Sequence, residues 1–191
     1  MSLDQELAAG YDEITVFLPP GLRLGELRAD LFAAGYRAAP QRGAASGEAS
    51  VPDLDPYAFQ TRPTILRRLA AILAERLPDR LDRLVAASAS AVPLTTAVAL
   101  HTGLPFAVAG ETTTSESPPL GDIHRGERIA VLAALTVSGD TAVRTAALVQ
   151  AQGAEVCGVF TAVDRTQGAS GLLDGAELDL HVLFPEGSAD R

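Results

Sequence analysis

The chain has 191 residues, of which 47% are hydrophobic and 20% charged, and its formal net charge at pH 7 is −9. This length suits one globular domain with a single core, and the acidic excess argues against a nucleic-acid partner. No apolar run approaches the roughly 20 residues that a membrane helix needs, so no membrane partner is expected. The only cysteine, Cys157, lies in an apolar run. We expect it to be buried and unpaired, as suits a cytoplasmic protein.

The chain contains no lysine, since all 15 basic residues are arginines. Arginine stays protonated near neutral pH and cannot replace lysine as a reactive amine. Mechanisms that require lysine as a Schiff base, a general acid or a phosphate clamp are therefore excluded for this chain.

The first part of the chain contains two predicted helices. A short apolar run at 14–18 precedes a helix over 22–34, where leucines recur at near-helical spacing. Residues 38–56 are rich in Ala, Ser, Gly and Pro, which indicates a loop or an irregular strand. A proline then opens a strongly amphipathic helix over 63–77.

From residue 82 onward, short apolar strands alternate with helices. The predicted elements are strands near 83–88, 104–109, 128–134, 155–163 and 178–184 and helices near 93–102 and 140–152. Apolar strands that alternate with helices predict a mainly parallel sheet flanked by helices, which is an α/β fold. Residues 111–127 form a polar loop of a length typical of functional lids or disordered segments.

The turn after the third predicted strand has the composition of an anion site. It contains the hydroxyls of Thr136, Ser138 and Thr141, and Gly139 permits close approach of the backbone. A helix follows directly, so its free amides and its dipole favour an anion. A plain N-cap formed by Ser138 or Asp140 explains the same residues, and both interpretations stay open.

Other polar residues give weaker signals. The three histidines, His101, His124 and His181, lack metal-ligand spacing, so no metal site is expected. His181 lies within a predicted strand and is interpreted as structural, whereas His124 lies in the polar loop and is the one to test as an acid. Arg83 and the nearby Asp79 indicate a solvated face with local ion pairs.

Four segments together resemble the type I phosphoribosyltransferases, and within them the orotate phosphoribosyltransferase branch. They are SGEASVPDLDPYAF at 46–59, VPLTTAVALHTGLPFAV at 92–108, RIAVLAALTVSGDT at 128–141 and GAEVCGVFTAVDR at 153–165. Their order and intervals match the family over most of the chain. The resemblance implies a type I phosphoribosyltransferase-like fold, in which helices flank a mainly parallel central sheet.

The resemblance also implies how the chain is organised. One domain is expected over 1–191, with an N-terminal subregion or hood at 1–60, a core at 61–184 and a tail at 185–191. Members of this branch are typically two-fold dimers, so a homodimer is expected here.

By the same resemblance, Ala133 and Ala134 occupy positions where two acids engage the ribose hydroxyls of the sugar diphosphate. Alanine accepts no hydrogen bond there. The implied phosphate-binding residues are Ser138, Gly139, Asp140 and Thr141. Of these, Asp140 stands where glycine is usual, and its carboxylate opposes a phosphate dianion.

Other implied contacts are altered as well. The small loop that holds pyrophosphate carries Ser90 and Ala91 instead of a glycine pair, and Glu48 replaces a usual lysine. The hood loop at 109–122 has acids but none of the family's basic residues. Arg165, which the resemblance implies contacts the pyrimidine base, is retained. An ordinary ion pair with the preceding aspartate is the alternative role for Arg165.

These departures bear on catalysis. Losing one preorganised group that stabilises developing charge lowers a rate by roughly 10²–10³. The sequence therefore predicts an orotate phosphoribosyltransferase-like protein that is catalytically impaired. It would bind a nucleotide, a pyrimidine or another phosphate-containing ligand, or act as a regulatory or partner subunit. The alternative is a divergent, active enzyme that makes a nucleotide from a base and phosphoribosyl diphosphate, and only then is Mg²⁺ expected as a cofactor.

Overall fold

The computed structural model describes residues 20–37, 53–109, 119–165 and 175–186. Contacts within the chain separate two compact units, Met1–Leu54 and Asp55–Arg191. The organisation as a single domain stays a prediction. No helix within the described ranges is long and apolar enough to cross a membrane.

The first unit contains one helix and one short pair of strands. Helix α1 (Pro20–Gly35) is followed directly by strand β1 (Tyr36–Arg37), which pairs antiparallel with β2 (Asp53–Leu54). The buried apolar side chains of α1 recur every three or four positions and share one face of the helix. They are Leu27, Leu31 and Ala34.

The structure confirms the helix predicted over 22–34. The apolar run at 14–18 lies outside the described residues. So does most of the predicted loop, since only 53–56 of its residues are described.

The second unit is built from a five-stranded sheet and helices. Its helices are α2 (Pro56–Gln60), α3 (Pro63–Arg76), α4 (Val92–Thr102) and α5 (Asp140–Ala151). Its strands are β3 (Arg83–Ala86), β4 (Phe106–Val108), β5 (Arg128–Thr136), β6 (Glu155–Asp164) and β7 (Leu180–Pro185). The strands and helices predicted from the alternating pattern are confirmed, with small differences at their ends.

Helix α2 is missing from the sequence prediction, which extends a loop or irregular strand to residue 56. The carboxylate of Asp55 caps this helix by accepting the backbone N–H of Tyr57 at 2.8 Å, and Pro56 provides a first turn with a fixed φ. An aspartate followed by a proline is a recognised helix start, so the sequence does contain the signal.

All five strands of the second unit are parallel, in the order β4-β3-β5-β6-β7. This confirms the predicted α/β fold. The central strand β5 is buried from Ile129 to Ala134, as expected when a parallel sheet is covered on both faces. Because the strands are parallel, their carboxyl ends meet at one edge of the sheet, called here the carboxyl edge.

Strand β6 contains a bulge near the start of its pairing with β5. Ile129 pairs with Val156, but Ala130 pairs with Gly158, so Cys157 is an extra residue in β6. Cys157 is half-buried, and the expectation that it is buried is therefore wrong. The bulge displaces it from the regular alternation of the strand.

The residue after the bulge must be small. Gly158 has a φ of 146°, and a Cβ at this position would lie 3.3 Å from the ring of His181. That ring stacks on Phe160 with their centroids 4.4 Å apart. His181 thus packs on the sheet, in keeping with the structural role predicted for it.

An ion pair lies at the opposite edge of the sheet, where the strands begin, which is called here the amino edge. The Nε and Nη2 atoms of Arg83 donate to the two carboxylate oxygens of Glu127, each at 2.9 Å, and both side chains are largely buried. The hydrogen bonds from Arg83 hold the pKa of Glu127 below its ordinary value, and Glu127 in turn raises the pKa of Arg83. The prediction that Arg83 belongs to a solvated face with local ion pairs is wrong, because its partner is distant in the chain.

Candidate functional site

The predicted phosphate loop connects β5 to α5 at the carboxyl edge. Gly139 occupies the N-cap position with a φ of 82°, a left-handed conformation that glycine adopts without strain. Its carbonyl accepts the N–H of Val143 at 3.0 Å and so begins the helical hydrogen bonding. The backbone therefore turns sharply and directs the amino end of a 12-residue helix toward the edge.

The cap itself differs from the expectation of a side-chain N-cap. The cap residue is Gly139, and Asp140 is the first helical residue, exposed and in the first turn. The Ser138 hydroxyl accepts the Asp140 N–H only at a long 3.4 Å. A plain cap by Ser138 or Asp140 thus does not explain the loop, and the anion-site interpretation of its hydroxyls stays a prediction.

A cavity of about 260 Å³ opens at this loop. It brings together the loop, the end of β5 and the small loop after β3. The lining residues are small or hydroxyl-bearing for the most part. They are Ala87, Ser88, Ser90, Ala133, Leu135, Thr136, Val137, Ser138, Gly139, Thr141 and Ala142.

The cavity gathers several of the predicted site residues and leaves others out. Those that line it are Ser90, Ala133, Thr136, Ser138, Gly139 and Thr141. Those that are not among its lining residues are Ala91, Ala134, Asp140 and Arg165.

The two adjacent alanines differ in their surroundings. Ala133 lines the cavity, whereas Ala134 is 1% exposed and is not part of the cavity wall. Successive side chains of a strand point to opposite faces, and of these two neighbours only Ala133 is on the face that lines the cavity. Only the first of the two positions opens directly onto the cavity.

A buried glutamine, whose structural role the sequence analysis did not predict, holds the small loop in place. Gln60, only 2% exposed, donates from Nε2 to the carbonyl of Ser90 at 2.8 Å and to that of Pro56 at 2.7 Å. Its Oε1 accepts the N–H of Leu94 at 3.1 Å. Every polar atom of the Gln60 amide group is thus engaged, and it ties the small loop to the starts of α2 and α4. A lone glutamine at a helix end carries no sequence signal for this role.

A chain of threonine hydroxyls lies beneath the phosphate loop. The hydroxyl of Thr136 donates to that of Thr161 at 3.0 Å, and Thr161 donates to the carbonyl of Val163 at 3.0 Å. Thr161 is fully buried and Thr136 is 5% exposed. The Thr136 hydroxyl, expected to be available to an anion, is therefore committed to Thr161.

Arg165 lies at the end of β6, beside the phosphate loop. Its backbone N–H donates to the carbonyl of Thr136 at 2.9 Å. Its guanidinium Nε donates to the carboxylate of Glu186, which follows β7 at the same edge. Sequence reasoning missed Glu186, although it is the first acid after an apolar strand that pairs with β6.

The residues at this edge do not fit a metal held by carboxylates. Among the described residues there is no group of three or more His, Cys, Asp or Glu side chains arranged to hold a metal ion. The alanine methyl groups at 133 and 134 supply no oxygen ligand. Glu48 and two acids of the hood loop, Glu111 and Glu116, lie outside the described residues.

Comparison with known proteins identifies relatives of this chain, although no family model matches it. The orotate phosphoribosyltransferase of Methanosarcina mazei is 31% identical over 140 residues, which cover 71% of this chain and 75% of the relative. That of Natronomonas pharaonis is 30% identical over 133 residues, which cover 68% and 76%.

Among solved structures, the orotate phosphoribosyltransferase of Mycobacterium tuberculosis has the same fold. Its TM-score is 0.71, with 21% identity, and the match covers 85% of this chain and 95% of that one. Because the Methanosarcina mazei and Natronomonas pharaonis relatives are 31% and 30% identical and each match covers more than two thirds of both chains, the chain belongs to the orotate phosphoribosyltransferase family.

Proposed function

We propose that this protein binds a pyrimidine nucleotide through its phosphate group and is impaired in phosphoribosyl transfer. One observation carries the proposal. The cavity at the carboxyl edge combines a helix amino end and loop hydroxyls with an alanine at the wall position where the family resemblance implies an acid.

The phosphate side of the cavity has groups that suit an anion. The first N–H groups of α5 have no partner within the helix, and the helix dipole adds positive potential at this end. The Ser138 and Thr141 side chains line the cavity and offer hydroxyl donors. A phosphate bound here would accept hydrogen bonds without any lysine, which the chain lacks.

The sugar-diphosphate side lacks comparable groups. The methyl group of Ala133 cannot accept a hydrogen bond from a ribose hydroxyl. Asp140 is exposed in the first turn of α5, where its negative charge opposes a highly charged ligand more than a monophosphate. These two residues support impaired turnover, because the transition state of transfer needs charge stabilisation that neither supplies.

The size of the cavity suits part of a nucleotide. A volume of about 260 Å³ lies a little below the range of about 300–1,000 Å³ that is typical of small-molecule sites. It accommodates a phosphate and a portion of the sugar, and the base would extend along the carboxyl edge toward Arg165. The Mycobacterium tuberculosis relative has been solved with inorganic phosphate and with 5-phospho-α-D-ribosyl 1-diphosphate, which supports an anion as the ligand class.

Calorimetric titration tests the proposal. The ligands are uridine 5′-monophosphate, inorganic phosphate and the sugar diphosphate, each with and without Mg²⁺. We expect magnesium-independent binding of the monophosphate that is tighter than binding of the sugar diphosphate. Thr141→Val should weaken the monophosphate roughly tenfold, as for loss of one hydrogen bond to a charged group.

A matched control is available in another helix. Thr64 is, like Thr141, an exposed threonine at the second position of a helix, but it lies in α3 and does not line the cavity. Thr64→Val should leave binding unchanged. Micromolar, magnesium-dependent affinity for the sugar diphosphate, or formation of a nucleotide from orotate, would contradict the proposal and support a divergent active enzyme.

A further inference from the structure

Arg165 and Glu186 form an ion pair at the carboxyl edge of the sheet. The two residues are 21 positions apart in the chain and follow the neighbouring strands β6 and β7. Their side chains are 18% and 22% exposed, so the pair is largely withdrawn from water. A charge pair in this setting is screened less than one on an open surface.

Hydrogen bonds hold the backbones of both partners in place. The N–H of Arg165 donates to the carbonyl of Thr136 at 2.9 Å, and Thr136 lines the cavity. The N–H of Glu186 donates to the carbonyl of Asp164 at 2.7 Å. The sheet therefore holds the backbones of both residues at the carboxyl edge, with that of Arg165 bonded to a residue that lines the cavity.

The pairing changes what the arginine can recognise. A guanidinium beside a ligand cavity ordinarily attracts a carboxylate or phosphate, often through two parallel hydrogen bonds. Here a carboxylate of the same chain accepts from its Nε. A ligand carboxylate that approached Arg165 would also approach Glu186, and two like charges at contact distance repel strongly in a partly buried site.

We infer that Glu186 is a specificity-determining residue that excludes pyrimidine nucleotides bearing a carboxylate on the ring and favours those with an uncharged base. The inference rests on the proposed function, since it assigns the ligand class of the same site. The carbonyl groups and N–H donors of an uncharged base do not carry the charge that Glu186 repels. Discrimination thus comes from an unfavourable contact with the wrong ligand as well as from contacts with the right one.

The experiment compares two nucleotides that differ only in that carboxylate, uridine 5′-monophosphate and orotidine 5′-monophosphate. Affinities are measured by calorimetry at fixed salt for the unmodified protein and for Glu186→Gln, which keeps the size of the side chain and removes its charge. We expect the unmodified protein to prefer the uridine nucleotide by about tenfold or more. In Glu186→Gln that preference should shrink by about tenfold, chiefly through tighter binding of the orotidine nucleotide.

Glu155→Gln is the matched control. It removes the same charge from the other end of β6, where Glu155 is exposed and lies 3.8 Å from Arg128. The preference between the two nucleotides should be unchanged. Since the readout is a ratio of two affinities in one protein sample, a loss of folded fraction alone does not alter it.

The outcomes separate the two proposals. If the unmodified protein binds both nucleotides equally, or if Glu186→Gln and Glu155→Gln have the same effect on the ratio, the role of Glu186 is refuted while nucleotide binding stands. If neither nucleotide binds, the proposed function and the inference that rests on it both fail.

Discussion

The buried amide of Gln60 donates to the carbonyl of Ser90 at 2.8 Å, although the two residues are 30 positions apart. The contact fixes the small loop that forms one wall of the cavity. Because the same amide also engages α2 and α4, one side chain aligns three segments of the second unit.

Replacing Gln60 with leucine should therefore destabilise the protein. Leucine is similar in size but leaves the Ser90 carbonyl and the Leu94 N–H without their partner in a buried setting, and each such group costs about 1–3 kcal/mol. We expect the free energy of unfolding to fall by about 2 kcal/mol or more, as measured by urea denaturation. Gln150→Leu, at an exposed position of α5, makes the same chemical change and should have little effect.

Replacing Asp140 with asparagine should have opposite effects on stability and on anion binding. The acid stabilises the amino end of α5 through the helix dipole, so its loss costs about 0.3–1 kcal/mol. The same loss removes repulsion of a phosphate, and affinity for inorganic phosphate should rise severalfold. Thermal unfolding and calorimetry measure the two effects. Asp179→Asn, at an exposed position before β7, should not change phosphate affinity; equal gains in both variants would show that overall charge is responsible.

The two alanines of β5 should respond differently to the introduction of an acid. Ala134 is 1% exposed and outside the cavity wall, so Ala134→Asp places an uncompensated charge in the core and should cost about 3 kcal/mol or more. Ala133→Glu can extend into the cavity and should cost clearly less. Melting temperatures of the two variants compare them directly. Equal losses would mean that the cavity does not accommodate a longer, acidic side chain at position 133.

Acid should weaken the protein partly through Glu127. The hydrogen bonds from Arg83 lower the pKa of this carboxyl in the folded state, so the unfolded chain binds its proton at a higher pH than the folded one. The resulting stability is fully present above the unfolded value of about 4.3 and is lost as the pH falls through the lowered folded value. Urea unfolding between about pH 6 and pH 3 should show a shallower loss of stability in Glu127→Gln than in the unmodified protein. Glu155→Gln, which alters an exposed acid, should retain the full slope.

The fold was accessible from the sequence because its signals are local. Apolar runs such as β5 predict buried parallel strands, and a left-handed glycine after α4, Gly103, marks that helix end. The position of the phosphate loop followed from the same pattern, since it comes directly after a buried strand and before a helix.

The missed features depend on contacts between distant segments. Glu127 and Glu186 each pair with an arginine brought near only by the register of the sheet, and no spacing in the sequence records this. The different surroundings of Ala133 and Ala134, in contrast, follow from strand alternation and were predictable once β5 was assigned. The start of α2 was also predictable, because Asp55 followed by Pro56 is a sequence signal for a helix N-terminus.

The bulge at Cys157 affects which insertions and deletions in β6 the site can tolerate. Beyond the bulge, Thr161 stands opposite Ala133 in the register, and its hydroxyl supports Thr136 at the cavity. Regular pairing continued from Val156 would instead place Phe160 opposite Ala133, with a ring in place of the hydroxyl, since a slip of one residue exchanges the two faces of a strand. Deleting the codon for Cys157 would remove the bulge and keep Thr161 paired with Ala133, whereas an added codon would need a second irregularity to preserve the same pairing. The strand can thus lose a residue more readily than it can gain one, so the tolerance of the site to changes in chain length is asymmetric.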